Sequence, residues 1–576
     1  MIGKFRTKIH ARSHITTMHL RLRKPPAIPR PRARALVPHL VQRQFSRPAA
    51  LPPHRRKGPR SRPIAPATAT QSHQTTIYAL STPPGKSAIA VIRISGPSAL
   101  AIYTSLTAAA AAAPTPRHAL LRSLHHPHTY EVLDPGALCL FFPGPRSHTG
   151  EDVVELHVHG GPAIIRAVLA AIPLAAVGTG TRYAEPGEFT RRAFYNERLS
   201  LPEVEALGET LDATTEEQRR RAVRGVKAGQ AERYEDWRRQ LVLARGELEA
   251  LIDFAEDQHF EESNRALVAG VELRVRQLRE RLKVHMSNAV RGELLKSGIS
   301  LSLVGAPNVG KSSLLNTVVG REAVIVSPEA GTTRDVVDLA IDMGGFMVVL
   351  GDTAGLRVDD VGVGLVEEEG IRRARARTMA ADVVVAVVDI VVNEDESVGL
   401  RISPELEKLI NETEEAGKEV VAVVNKTDLH PSATATDELP MDIIRQVNDA
   451  FPNIKDERIF GVSCGKGTEQ GIQRLLNGLT GIFKQMTSPL SPTAGVSAAE
   501  MYESIGTTER QRVLVEACIS FLDDFLEMIE DADVVVAAEE LRGAAECLGR
   551  ITGRGEMAGD VEEVLGVVFE KFCVGK

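Results

Sequence analysis

The sequence predicts a multidomain α/β plus all-α protein in which a P-loop domain interrupts a helical bundle. Two observations carry this. Leu301 to Val304 read as a buried strand, Gly305 to Ser312 fit G-x-x-x-x-G-K-[ST], and Ser313-Leu314-Leu315 open a helix; that succession starts a parallel α/β sheet. On either side, Leu201 to Ser297 and Val513 to Phe572 keep apolar residues at helical spacing, so two helical regions far apart in the chain flank one compact domain.

The P-loop spacing has a chemical reason. Glycines let the backbone curl until successive N–H groups face a phosphate, and the helix N-terminus adds its positive end. Asn308, Val309, Gly310, Lys311, Ser312 and Ser313 are the candidate contacts, with Lys311 reaching the β- and γ-phosphates and the Ser312 hydroxyl on Mg²⁺. Thr333, in the loop Gly331-Thr332-Thr333-Arg334-Asp335, can complete the Mg²⁺ shell. A strand through Val348 to Leu350 leads into Asp352-Thr353-Ala354-Gly355, where the glycine N–H can sense the γ-phosphate. Asn425-Lys426-Thr427-Asp428 then selects the base. A carboxylate at Asp428 accepts from both N1–H and the exocyclic amine of guanine, and adenine lacks that pair of donors. Ser463, Cys464 and Gly465 offer donors to guanine O6. These motifs in this order predict a GTP-binding domain.

Composition sets the outer limits. Only 4% of residues are aromatic, which argues against a broad base-stacking surface. No apolar run reaches membrane-spanning length. Five cysteines without a C-x-x-C pair argue against a zinc site or disulfide framework and fit a reducing compartment. Charge is unevenly placed. Residues 1–75 hold 17 Lys and Arg and no acid, while the other 501 residues hold 52 Lys and Arg against all 75 Asp and Glu, a net −23. The basic start, rich in Arg, Pro, His and Ser, reads as an organellar import segment with Arg43-Gln44-Phe45-Ser46 resembling a matrix-protease site; Arg outweighs Ser, which favours mitochondria over plastids. A basic tail that binds RNA is the other reading.

From Thr76 the texture becomes strand, Pro-Gly loop, strand, and 76–197 is expected to form an α+β domain. Ala108 to Ala113 is a low-complexity insertion. His157 and His159 alternate on one strand face; two histidines make either a half-exposed face or part of a metal site. The first helical part covers 198–297. There Val204, Leu207 and Leu211 keep one face apolar, and Arg219, Arg220, Arg221, Arg224 and Lys227 form either a solvated face or an RNA contact. The nucleotide domain covers 298–484. After a Ser488-Pro-Leu-Ser-Pro-Thr linker the second helical part, 485–576, resumes through Val513, Ala517, Phe521 and Phe525.

Several stretches together resemble the MnmE or TrmE family of tRNA-modification GTPases in its mitochondrial form. They are Ser81-Thr-Pro-Pro-Gly with Ile92-Arg93-Ile-Ser-Gly, Thr149-Gly-Glu-Asp-Val-Val-Glu-Leu with His159-Gly-Gly, Glu185-Pro-Gly-Glu-Phe-Thr-Arg-Arg-Ala-Phe, Leu211-Asp-Ala-Thr-Thr, and the terminal Cys573-Val574-Gly575-Lys576. The resemblance implies an N-terminal folate-binding and dimerising domain, a helical domain, and an inserted Ras-like GTPase domain. It implies a homodimer working in the mitochondrial matrix with a flavin- and NADH-dependent partner of MnmG/GidA type. The pair would build a carboxymethylaminomethyl-type group on C5 of the wobble uridine of tRNA, with a methylene- or formyl-tetrahydrofolate as one-carbon donor. Arg93, Glu155, Arg198 and Lys576 match the folate contacts; Arg198 stands where the family usually has lysine. Cys573 is either a reactive thiol or a small residue packing the last turn.

Leu356 follows Asp352-Thr-Ala-Gly355 where Ras-type enzymes carry a water-orienting glutamine, so hydrolysis needs another polarising group. The resemblance supplies Glu367, with Glu368 beside it. It also implies K⁺ in the role of an arginine finger, held by Asn308, Ser327, Glu329 and Thr332, with Ser327 and Thr332 at the nucleotide's edge. Two other readings compete: a pure switch without small-molecule chemistry, and an RNA-binding module built on the Arg219 to Lys227 cluster.

Overall fold

The computed structural model describes residues 75–107, 114–176, 180–227, 229–255, 261–321, 324–325, 339–351, 375–392, 398–430, 439–465, 469–490, 497–530 and 533–553, with positions 569, 572 and 575. All of them belong to one unit of the fold, 67–576. The import-segment reading and the alanine-rich insertion fall outside the described residues.

Six strands build the first sheet: β1 (Thr76–Leu80), β2 (Ile89–Ser95), β3 (Leu120–His125), β4 (Val132–Phe142), β5 (Val153–His159) and β6 (Thr181–Tyr183). Their order is β3-β4-β5-β2-β1-β6, antiparallel except where β6 joins β1. Alternation along the strands divides the two faces. Ile92, Ile94, Val154, Leu156 and Val158 pack against α1 (Ala99–Leu106) and α2 (Pro162–Ala175) through Ile102, Leu106, Val168 and Ile172. Arg93, Glu155 and His157 therefore point to the opposite face. There α3 (Glu188–Tyr195) seats Phe189 against Ile77, Ala79 and Ala184. Arg192 of α3, 3% exposed, bonds Glu151 (3.0 Å) and the Thr75 carbonyl (2.7 Å), which fixes that helix to the sheet.

The helical part starts at α4 (Leu201–Asp212), opened by a reciprocal Ser200–Glu203 capping box. It continues through α5 (Glu216–Lys227), α6 (Gln230–Ala255) and α7 (Glu261–Ser297). The chain then enters the nucleotide domain. Its sheet contains β7 (Ile299–Val304), β8 (Val324–Ile325), β9 (Leu339–Met343), β10 (Phe346–Leu350), β11 (Val383–Val392), β12 (Val398–Arg401), β13 (Glu419–Asn425) and β14 (Ile459–Gly461). The order is β14-β13-β11-β7-β10-β9-β8, with β12 on the end of β11. Helices α8 (Lys311–Arg321), α9 (Pro404–Glu415), α10 (Met441–Ala450) and α11 (Glu469–Thr487) alternate with the strands, and separate apolar clusters occupy the two faces.

Leaving that domain, α12 (Ala498–Ser504), α13 (Glu509–Glu530) and α14 (Val534–Thr552) rejoin the earlier helices. Trp237, Leu241 and Leu248 of α6, Val271 and Leu278 of α7, Leu522 and Phe525 of α13, and Leu541 and Leu548 of α14 share one core. The bundle is thus assembled from both sides of the nucleotide domain. Two stripe assignments need correcting: Val513 is 50% and Leu211 43% exposed, and α13 buries Val515, Cys518, Leu522 and Phe525 instead. Val513, Leu514, Val515, Ala517, Cys518 and Ile519 follow the polar first turn of α13 almost without a break, so spacing alone admits more than one stripe.

What sets the rotation is the turn before α13. Arg221, 3% exposed, donates to the carbonyls of Ile505 and Thr507 (both 3.0 Å) and pairs with Glu209 at 2.7 Å. Arg219 and Arg220 are taken up by Glu216 and Glu217, and Arg224 stacks on Tyr502. Part of the basic cluster is therefore an internal clamp: Arg221 is taken up inside the fold, while Arg219 and Arg220 stay about half exposed in their pairs with Glu216 and Glu217.

His285 lies in the same junction, fully enclosed, with Nε2 at 2.9 Å from the Tyr234 hydroxyl and 3.0 Å from that of Thr507. Burial, then the Arg233 charge, pulls its pKa down to about 3. The unfolded chain protonates this histidine near 6.5 and the folded chain resists until about 3, so acid favours the unfolded state in between. Stability is expected to fall below pH ~6.5 by on the order of a few kcal/mol from this group. Urea unfolding at stepped pH checks it: His285→Gln must flatten that part of the slope, and an unchanged slope refutes the assignment.

Candidate functional site

Outside the carboxyl end of the central strands, where the order reverses between β7 and β11, the P-loop joins β7 to α8. Asn308 adopts a left-handed φ of 64° and Gly310 a φ of 98°. Lys311 donates to the carbonyls of Gly305 (2.8 Å) and Ala306 (2.9 Å), and burial lowers its pKa. Ser312 and Ser313 stand exposed in the first turn of α8, and the Asn308 side chain is exposed on the loop. A hydroxyl at a helix N-terminus suits Mg²⁺ at a nucleotide phosphate, and a carboxamide oxygen suits a monovalent cation.

The base-recognition turn is tied to this loop. Asn425 donates to the Val309 carbonyl at 2.8 Å, and Ser463 donates to Asp428 at 2.6 Å, joining the two guanine-facing segments. Cys464 is half-buried beside them, its thiol pKa raised by burial. Asn308, Val309, Gly310, Lys311, Ser312, Ser313, Asn425, Lys426, Asp428, Ser463, Cys464 and Gly465 are thus described in one region. Ser327, Glu329, Thr332, Thr333, Asp352, Thr353, Ala354, Gly355 and Glu367, with Glu368, lie outside the described residues. Sequence reasoning missed Asp389, whose carboxylate receives the Lys426 ammonium at 2.6 Å. Its signal was a lone acid in an otherwise apolar strand.

A second polar site lies on the open face of the first sheet. Arg93 and Glu155 are direct cross-strand partners, and both Nε (3.0 Å) and Nη2 (2.8 Å) of Arg93 donate to one Glu155 oxygen. The guanidinium also lies 5.8 Å from the centre of the Phe189 ring. Arg198 donates to the Ser147 carbonyl at 3.2 Å. His148, next to Ser147, interacts with Arg93, Glu155 and Arg198; desolvation, then Arg93, lowers its pKa to about 4. Arg93, Glu155 and Arg198 thus converge, and His148 is an addition the sequence reading did not single out. The C-terminus reaches the same domain: Gly575, at φ 96°, accepts from the Ser81 hydroxyl at 3.0 Å, while Phe569 and Phe572 pack on Leu201 and Val204. Cys573 and Lys576 lie outside the described residues. His159 is held through Nδ1 by buried Asp134 at 2.8 Å, and among the described residues no three potential metal ligands cluster.

These features coincide with a family match. A model for the GTP-binding protein TrmE N-terminus matches residues 76–198, and one for the MnmE helical domain matches 201–573. The chain belongs to the MnmE/TrmE family. It is 40% identical over 504 residues to the tRNA modification GTPase MnmE of Parvibaculum lavamentivorans, covering 87% of this chain and all of that one. It is 39% identical over 506 residues to the mitochondrial 5-taurinomethyluridine-tRNA synthase subunit GTPB3 of Danio rerio, covering 87% and 93%. The mitochondrial tRNA modification GTPase mss1 of Schizosaccharomyces pombe is 38% identical over 503 residues, covering 87% and 95%. The chain is accordingly a GTP hydrolase of this family, with an N-terminal α/β domain and a helical domain. No described helix is long and apolar enough to cross a membrane.

Proposed function

We propose that the protein is a K⁺-activated GTPase of the mitochondrial matrix that modifies C5 of the wobble uridine in mitochondrial tRNA. It acts as a homodimer with a flavin- and NADH-dependent partner and installs a carboxymethylaminomethyl-type group. The observation carrying this is the coexistence of a guanine-type nucleotide site with a separate cation–carboxylate site, in a chain whose relatives are named for tRNA modification. A pure switch has no need of the second site.

In this reading Ser312 and Thr333 hold Mg²⁺, which neutralises phosphate charge. Asn308, Ser327, Glu329 and Thr332 hold K⁺, and Glu367 orients the attacking water. Lys311 exchanges its loop carbonyls for phosphate oxygens. At the second site Glu155 accepts from a pterin's amino and ring N–H groups, and Arg93, Arg198 and Lys576 answer its carbonyl and carboxylates. The domain division 76–197, 198–297, 298–484 and 485–576 follows the same scheme. Exposed Leu121 and Leu138, paired across β3 and β4 on the open face, support pairing of two N-terminal domains.

Mass spectrometry of organelle tRNA from a null strain is expected to lose the C5 substituent, with restoration by the wild-type gene. Titration with a reduced folate is expected to saturate, and Glu155→Gln to weaken it at least tenfold. Fully modified tRNA in the null strain overturns the function; no folate binding overturns the second site.

A further inference from the structure

We propose that Asp389 is the positioning residue of the base pocket. Its buried carboxylate holds the Lys426 ammonium so that the lysine stem forms a fixed wall beside the guanine. This rests on reading Asn425-Lys426-Thr427-Asp428 as the guanine site.

The strand β11 is otherwise made only of Val, Ala and Ile, and Asp389 within it is 0% exposed. A charge there is costly, because replacing a buried ion pair by packed apolar side chains is often neutral or stabilising. Packing therefore gives no reason for an aspartate at this position. Register gives one. Asp389 is the direct partner of Asn425 on β13 and of Arg401 on β12, so its carboxylate emerges where the strand ends open on the nucleotide. Oδ2 lies 2.6 Å from the Lys426 ammonium and Oδ1 3.7 Å from Arg401 Nε, a side chain half exposed.

Lys426 itself is strained. Its φ of 60° is left-handed, a conformation that is unfavourable for a non-glycine residue and persists where surroundings over-determine it. Three bonds do so: Asn425 to the Val309 carbonyl before it, Asp428 to Ser463 after it, and its own ammonium to Asp389. With both ends of the turn fixed, the remaining freedom is the four-carbon side chain. Drawing its tip to Asp389 orders that chain before the base arrives, so binding does not have to order it. The pair belongs to the base-recognition turn and not to the phosphate loop, and acts on affinity rather than on the hydrolytic step.

The test uses the full-length protein, with fluorescent GDP for binding and release and GTP for turnover. Asp389→Asn keeps the shape and removes the charge. It is expected to raise KM for GTP about tenfold and to speed GDP release by a similar factor, with kcat at saturation within twofold. Asp389→Val, apolar like its neighbours, is expected to match that loss without lowering the melting temperature of the nucleotide-free protein. Lys426→Met is expected to weaken binding too, and adding it to Asp389→Asn to cost little more. Wild-type affinity in Asp389→Asn, kcat falling as far as kcat/KM, or a loss in both Asp389 variants that tracks a lower melting temperature each overturns the inference. Failure of the wild type to bind GDP would instead overturn the site reading on which it rests.

Discussion

Gly310→Ala is expected to abolish nucleotide binding, weakening GTP by at least a hundredfold. A Cβ at Gly310 would lie 2.1 Å from the Asn425 amide nitrogen, and the backbone φ of 98° is closed to other residues without strain. Relief requires turning the Asn425 carboxamide away, which breaks its bond to the Val309 carbonyl, or shifting the P-loop itself; that bond is what couples the loop to the base-recognition turn. One methyl group therefore strains the phosphate loop and cuts its tie to the base-recognition turn. The comparison is Gly320→Ala in α8, where a Cβ meets nothing within 4 Å and a helix gains about 1 kcal/mol from the exchange. Calorimetric titration with GTP on both variants decides; normal affinity in Gly310→Ala would show that the loop adapts and that this coupling is not rigid.

The second large effect is ionic. GTP turnover is expected to be at least tenfold faster in K⁺ than in Na⁺ at equal ionic strength, since no arginine is placed by sequence to answer charge developing between the β- and γ-phosphates. Asn308 is exposed on the loop in a left-handed conformation, which carries its carboxamide outward. Asn308→Ala should remove the K⁺ dependence while leaving GTP binding within a few fold. Glu367→Ala should stop turnover in either salt with binding intact. Equal rates in the two salts would discard the cation mechanism, and lost binding in Glu367→Ala would point to a structural role.

The phosphate and base motifs were legible because the backbone path they need is written locally, in glycine spacing and in four consecutive residues. Arg93 and Glu155 were different. Alternation gives each a polar face, but only the pairing of β2 with β5 makes them neighbours, and the two lie 62 positions apart. Family resemblance, not periodicity, pointed to them. Arg221 is hidden for a related reason: a run of arginines does not say which one turns inward, and its carbonyl partner at Ile505 is 284 positions away. Asp389 was passed over within an apolar run, where one acid reads as noise until its cation is seen.

The divided bundle has a consequence for how the chain comes together. During synthesis or import, α6 and α7 emerge before their partners, with Leu241, Leu248, Val275 and Leu282 uncovered until the last helices arrive. The nucleotide domain has its own cores, filled almost wholly by its own residues, with Leu295 and Ile505 of the flanking helical parts at the margin of one of them. Once closed, it brings α7 and the end of α11 side by side, where Arg291 bonds the carbonyls of Gln485, Met486 and Ser488. A long flexible loop becomes a short tether, and most of the closure entropy is already spent when α13 docks. The inserted domain thus serves its host as an assembly clip, and a lesion that unfolds it should leave the flanking helices to chaperones and proteases.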